Sequence, residues 1–263
     1  MSGLEFETAL GASTPDKITL LGQDLAQDVM GEVGFGELAF WLATQRRPTR
    51  GQTRVFEAVL AALADHGFTP TAIAARITWL SAPDAVQGAL AAGLLGGGSR
   101  FLGVTEDTGR FLHEALPAEQ PGDDAGWDAL ALGIVRARRA AGKFVPGLGH
   151  PVHKDGDPRT PKLMQIAEEE GCLGPHLRLF AAIGRVHAEV LGRTLPLNGA
   201  GVCGAALADL DLPLPLLRGF ALLARTAGLI GQLAEELRRP MANEVYRAID
   251  RGAIAVPPDP WRS

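Results

Sequence analysis

Read for the spacing of its apolar positions, the chain is helical over most of its length. From Gln52 to Asp65 the residues Val55, Val59, Leu60 and Leu63 recur at helical intervals and share one face. Ala82 to Leu95 is so rich in Ala, Leu and Gly that it predicts a helix packed closely on several sides. Trp127 to Arg139, Pro161 to Glu170 and Pro175 to Leu191 repeat the spacing. Pro215 to Arg238 is the longest candidate, with a proline suited to a first helical turn. The alternation expected of strands is nearly absent, and Lys17 to Gly22 is the one short β-like run. Gly and Pro cluster between these stretches, at Gly96-Gly97-Gly98, Pro121-Gly122 and Pro146 to Gly149. The pattern predicts an all-α globular fold and by itself says nothing about chemistry.

Composition narrows the function classes. The 263 residues suit one large domain or a domain with a smaller lobe. With a net charge of −5 and scattered arginines there is no basic footprint for nucleic acid. The two cysteines, Cys172 and Cys203, lack the spacing of a metal site and offer no disulfide framework, so no metal is expected and both thiols read as reduced. The N-terminus has neither a basic start nor an apolar core. Leu214 to Ile230 is interrupted by Arg218 and Arg225, so no membrane span is expected and the location predicted is cytoplasmic.

Chemistry concentrates in Pro146 to Arg159, PGLGHPVHKDGDPR. A Gly-X-Gly turn frees backbone amides and admits a ligand close to the main chain. His150 follows, then Lys154, then Asp157-Pro158-Arg159 opening the next helix. One short segment thus offers a proton-transfer group, a carboxylate-binding guanidinium and open donors. A lone histidine more often caps a helix or binds a carbonyl than catalyses; the grouping with Arg159 shifts that balance.

This segment resembles the signature of the citrate synthase and citryl-CoA lyase superfamily, Gly-X-Gly-His-X-Val-X-Lys-X-X-Asp-Pro-Arg. Gly147, Gly149, His150, Val152, Lys154, Asp157, Pro158 and Arg159 supply every fixed element. Ala64 to Arg76 resembles the family's Ala-Asp-His-Glu segment and following helix, Leu223 to Gly228 its Ala-Arg-X-X-Gly helix, and Arg239-Pro240 its C-terminal Arg-Pro pair. Gly22 and Phe35 to Pro48 resemble its early region. The length fits the short citryl-CoA lyases. The resemblance implies a citrate-synthase-like all-α fold, with a large helical domain of about residues 1–104 and 197–263 and a smaller lobe of about 105–196. It implies cleavage of citryl-CoA to acetyl-CoA and oxaloacetate. His150 would accept the citryl hydroxyl proton, and His66 would polarise the same oxygen. Arg159, Arg225 and Arg239 would clamp carboxylates. Gly147, Leu148, Gly149 and Lys154 would lie near the CoA, which is substrate; no bound cofactor is implied. A homodimer is implied, since the family's last arginine serves the partner's site. Alternatives stay open: Arg225 as a buried ion-pair partner, Arg239 as a solvated helix end, His66 as a helix cap. Lys143, His153 and His187 read as structural or solvated.

The resemblance breaks at two positions. Leu197 to Gly204 matches the family's Asn-Val-Asp-X-X-X-Gly segment with Ala200 in place of the aspartate that moves a proton at the acetyl carbon. Phe101 stands for the histidine of a His-Gly-Gly-Ala-Asn-Glu segment, a loss that some citryl-CoA lyase modules share. Glu189 and Asp209 are the nearest acids in sequence, and nine helical residues span about 13 Å. Three readings follow. One is a citryl-CoA lyase using water or another side chain as proton donor. Another is an enzyme for a different acyl-CoA and 2-oxo acid. The third is a non-catalytic protein binding CoA or a di- or tricarboxylate.

Overall fold

The computed structural model describes residues 6–255. The expected all-α fold is present. A small antiparallel meander opens the chain, β1 (Gly11–Ser13), β2 (Ile18–Leu20) and β3 (Gln23–Asp24), in that order. Leu21 and Gly22 both take positive φ, 51° and 79°, the two-residue turn that matches the twist of a hairpin. The β-like run at Lys17 to Gly22 is therefore one strand and its turn. A single π-type turn, Leu25–Val29, leads into α1 (Phe35–Thr44) and α2 (Arg50–Ala64). Then come α3 (Pro70–Ser81), α4 (Val86–Leu95), α5 (Val104–Ala115), α6 (Asp124–Ala140), α7 (Arg159–Glu169), α8 (Pro175–Leu191), α9 (Gly199–Asp209), α10 (Leu217–Arg238) and α11 (Ala242–Gly252).

The chain divides into two compact units. One ends at Leu63 and resumes over Ser99–Ala221; the other comprises Ala64–Gly98 and the chain from Leu222. Within the first unit, α9 packs against α5 and α8.

In the first unit, α9 is buried along its whole inner length from Gly201 to Ala208. It approaches α5 backbone to backbone: a Cβ on Gly204 would strike the Thr105 carbonyl, and one on Gly109 would crowd the Gly204 carbonyl. Phe56 of α2 sits edge-on between Phe40 and Phe220, at 5.6 and 5.3 Å between ring centroids. Phe56 is fully buried with Val55, Val59 and Leu63, whereas Leu60, expected on that face, is only half-buried.

In the second unit, Ala75, Ala89, Leu229 and Leu233 form an apolar cluster covered by Trp79, Leu90 and Leu94. Gly93 brings α4 against Leu229. The stretch Leu214–Arg238 is, by length and composition, long and apolar enough to cross a membrane, despite the two arginines expected to interrupt it. Core helices share this profile, and Leu229 and Leu233 of this stretch lie in the apolar cluster.

Candidate active site

The Gly-X-Gly loop of the first unit is stitched to the start of α9. Gly147 and Gly149 take φ of 83° and 87°, values that an L side chain rarely adopts. The Gly149 amide donates to the Pro196 carbonyl at 2.7 Å, and the Asn198 amide donates to the Gly147 carbonyl at 2.9 Å. The Asn198 side chain works in both directions. Its Oδ1 accepts the Gly201 amide at 2.8 Å, capping α9, and its Nδ2 donates to the Gly149 carbonyl at 2.8 Å. One asparagine thus fixes the backbone on which His150 stands and the first turn of α9 that carries Ala200.

His150 is oriented by its own loop. Its Nδ1 accepts the backbone amides of Val152 and His153, at 3.1 and 3.0 Å. Two N–H donors aimed at Nδ1 leave the neutral ring with its proton on Nε2. His150 in this geometry is a hydrogen-bond donor through Nε2–H. His153, read from sequence as structural or solvated, stacks obliquely on His150 with centroids 4.5 Å apart.

Asp157 and Arg159 of the Asp-Pro-Arg motif are paired with each other. Arg159 donates Nε–H to Asp157 Oδ1 at 2.9 Å and Nη2–H to Oδ2 at 2.7 Å, while Nη1 reaches the Ala62 carbonyl at 3.2 Å. The Gly199 amide also donates to Asp157 Oδ2, at 2.7 Å. Burial alone would raise the Asp157 carboxyl, but the Arg159 guanidinium and the Gly199 and Arg159 amides outweigh it and hold the group far below the usual carboxylate range. Burial likewise opposes charge on Arg159, and Asp157 restores it, keeping the guanidinium above its ordinary value. Asp157, which folds back beside Gly199, therefore stays an anion and makes a poor proton donor for the position vacated at Ala200. Asp209 is committed elsewhere: fully buried, it accepts the His176 and Leu177 amides and the His176 ring at the start of α8. Further along α9, burial pushes the Cys203 thiol up to about 12, against the opposing pull of Arg159.

A groove of about 210 Å³ adjoins the loop at Leu148. Val135, Val145, Leu191 and Leu195 give it an apolar floor, and Arg139, Lys143 and Arg193 supply cations around it. Phe144, which is almost fully exposed, belongs to the same lining, and its carbonyl is held by the Arg138 guanidinium. Lys154, expected near a CoA, is exposed on the loop, and Phe101 is exposed in the turn before α5. His187 is structural: buried in α8, it engages the Ile183 carbonyl and accepts the Leu195 amide at 2.8 Å.

The second unit holds His66, Arg225 and Arg239. His66 lies between Asp65, whose Oδ2 accepts the Gly67 amide at 2.8 Å, and Gly67 at φ 70°. Gly67 rather than His66 makes the left-handed step after α2. Arg225 is buried and donates from Nη1 to the hydroxyls of Thr69 and Thr71, both at 3.2 Å. Arg239 is exposed just past α10.

Comparisons with known proteins agree with this architecture. The citryl-CoA lyase from Hydrogenobacter thermophilus superposes with a TM-score of 0.83 at 28% identity, covering 97% of this chain and 96% of that one. An ATP citrate lyase from Methanosaeta concilii, solved as an aspartate-to-alanine mutant in complex with (3S)-citryl-CoA, gives 0.76 at 21% identity, over 98% of this chain and 43% of that one, and so shares the fold. A probable ATP-citrate synthase of Dictyostelium discoideum is 23% identical over 257 residues, 89% of this chain and 40% of that protein. The 2-methylcitrate synthase of Mycobacterium tuberculosis is 28% identical over 129 residues, 47% of this chain and 29% of that protein. The chain thus spans well under half the length of these curated relatives. Residues 20–248 match the citrate synthase C-terminal domain, and the chain belongs to that family.

Proposed function

We propose that this protein cleaves citryl-CoA to acetyl-CoA and oxaloacetate. The observation that carries the reading is the His150 ring held at Nδ1 by two backbone amides, on a loop bound to the start of α9. Cleavage builds negative charge on the former hydroxyl oxygen as its proton passes to water. A preorganised Nε2–H stabilises such charge without reorganisation, the kind of contribution typically worth about 10²–10³ in rate. The C–C bond then breaks with its electron pair moving into the thioester. Water protonates the resulting enolate, because Ala200 has no proton to give and Asp157 is held ionised. The Leu148 groove suits the CoA portion, an apolar ring system joined to several phosphates. Arg159, paired to Asp157, would keep one face for a substrate carboxylate, and His66, Arg225 and Arg239 keep the carboxylate-binding and polarising roles implied by the family. A cytoplasmic homodimer belongs to the same proposal and is checked by light scattering and cell fractionation.

The test is release of oxaloacetate from citryl-CoA, coupled to NADH oxidation. His150→Gln, which retains an N–H donor, should keep far more activity than His150→Ala. Equal loss in both would refute the donor role. Absence of turnover in the unaltered protein would sink the lyase reading. Ala200 itself favours a second reading, a protein that holds a CoA thioester without turning it over. A relative of the same fold, an ATP citrate lyase bearing an aspartate-to-alanine substitution, was solved with (3S)-citryl-CoA bound. The same assay with other acyl-CoA and 2-oxo acid pairs tests an altered acyl group.

A further inference from the structure

The loop bearing His66 is held by a buried polar chain that the proposed chemistry does not use. Gln232 of α10 is buried, and its amide is used from both ends. Oε1 accepts the Arg76 Nε–H at 2.9 Å, and Nε2 donates to Asp65 Oδ1 at 2.9 Å. Neither contact tolerates a flipped amide, because a guanidinium offers only donors and a carboxylate only acceptors. Asp65 passes the restraint on: its other oxygen accepts the Gly67 amide, so one carboxylate bridges the two sides of His66. The backbone leaves no slack, since a Cβ on Gly228 would strike the Ala64 carbonyl. At its far end Arg76, itself fully buried, donates from Nη1 to Glu236 at 2.9 Å, and Glu236 accepts the Met241 and Ala242 amides at the start of α11.

We propose that Gln232 is a positioning residue for His66, transmitting the fixed geometry of Arg76 to the Asp65–Gly67 clasp. The proposal rests on the reading that His66 acts on substrate. The placement of the imidazole can nevertheless be read without turnover.

The experiment follows the His66 ring signals in ¹⁵N-labelled full-length protein, assigned by their loss in His66→Asn. Gln232→Glu keeps the acceptor for Arg76 but sets a carboxylate against Asp65. It should displace or broaden the His66 signals. Adding Asp65→Asn to Gln232→Glu should return them, because an asparagine amide can donate across the same gap while its oxygen still accepts the Gly67 amide. If Gln232→Glu alone does not accumulate folded, Gln232→Met, which keeps the length and removes both hydrogen bonds, carries the comparison. In an active protein the single variant should lower kcat by about tenfold or more, as loss of a positioning contact does, with the double variant recovering it. His66 signals unchanged in the single variant, with only the melting temperature lowered, would overturn the proposal. So would a folded double variant that fails to restore them. Failure of the unaltered protein to cleave citryl-CoA would remove the role of His66 and leave the signal comparison standing.

Discussion

Ala200 and Asp157 are close neighbours of the same loop, and they set opposite limits on proton transfer. Ala200 offers no proton, so returning a carboxyl there is the direct test of what the site lacks. Ala200→Asp should raise citryl-CoA cleavage by about 10²–10⁴, the usual worth of a positioned acid or base. An unchanged rate would mean that protonation of the enolate does not limit turnover. Asp157 is the reverse case, a carboxylate that keeps its charge. Its pKa is depressed in the folded protein, so the stability it contributes is present above the ordinary aspartate value near 4 and is lost as pH falls toward the folded value. Asp157→Asn should cost about 3 kcal/mol at neutral pH, where it strands a half-buried guanidinium. The gap from the unaltered protein should close as pH drops below about 4. Urea unfolding at several pH values measures it, and a gap independent of pH would count against the assignment.

At the scale of elements, the contact of α5 with α9 depends on missing side chains. Gly204→Ala sets a methyl against the Thr105 carbonyl, where neither backbone can yield locally. A loss of about 1–3 kcal/mol is expected, as for other overpacked interiors, and thermal unfolding would detect it. A neutral result would mean that the helices separate readily. This contact also marks where the sequence stops being legible. The amphipathic helices α2 and α8 stand out by their spacing because each has a polar side. The helix α9 is buried nearly all round and built from Gly, Ala, Val and Leu, so it has no face to betray it. The signature loop is visible as a motif, yet the pairing of Asp157 with Arg159 and the tautomer of His150 come from backbone amides that no spacing reports. Asn198 could have been found as an asparagine directly before a Gly-Ala-Gly helix start, a cap signal.

Across the whole molecule, a net charge of −5 coexists with a groove rimmed by Arg139, Lys143 and Arg193. A polyanionic ligand there should bind with affinity that falls as salt rises. CoA at a hundredfold excess over its Kd should stabilise the protein by about 2.7 kcal/mol. A combined Arg139→Gln and Arg193→Gln variant should lose most of that shift in a melting assay, and an undiminished shift would place the ligand elsewhere. Cys203 has a practical use at this same scale. A fully buried thiol pushed up to about 12 is closed to iodoacetamide for as long as α9 stays packed. Its alkylation, followed by mass spectrometry, is then a built-in clock for opening of the helix on which the site is founded. The partly exposed Cys172 should react first, so modification of Cys203 at the same rate would mean that α9 opens freely in the native protein.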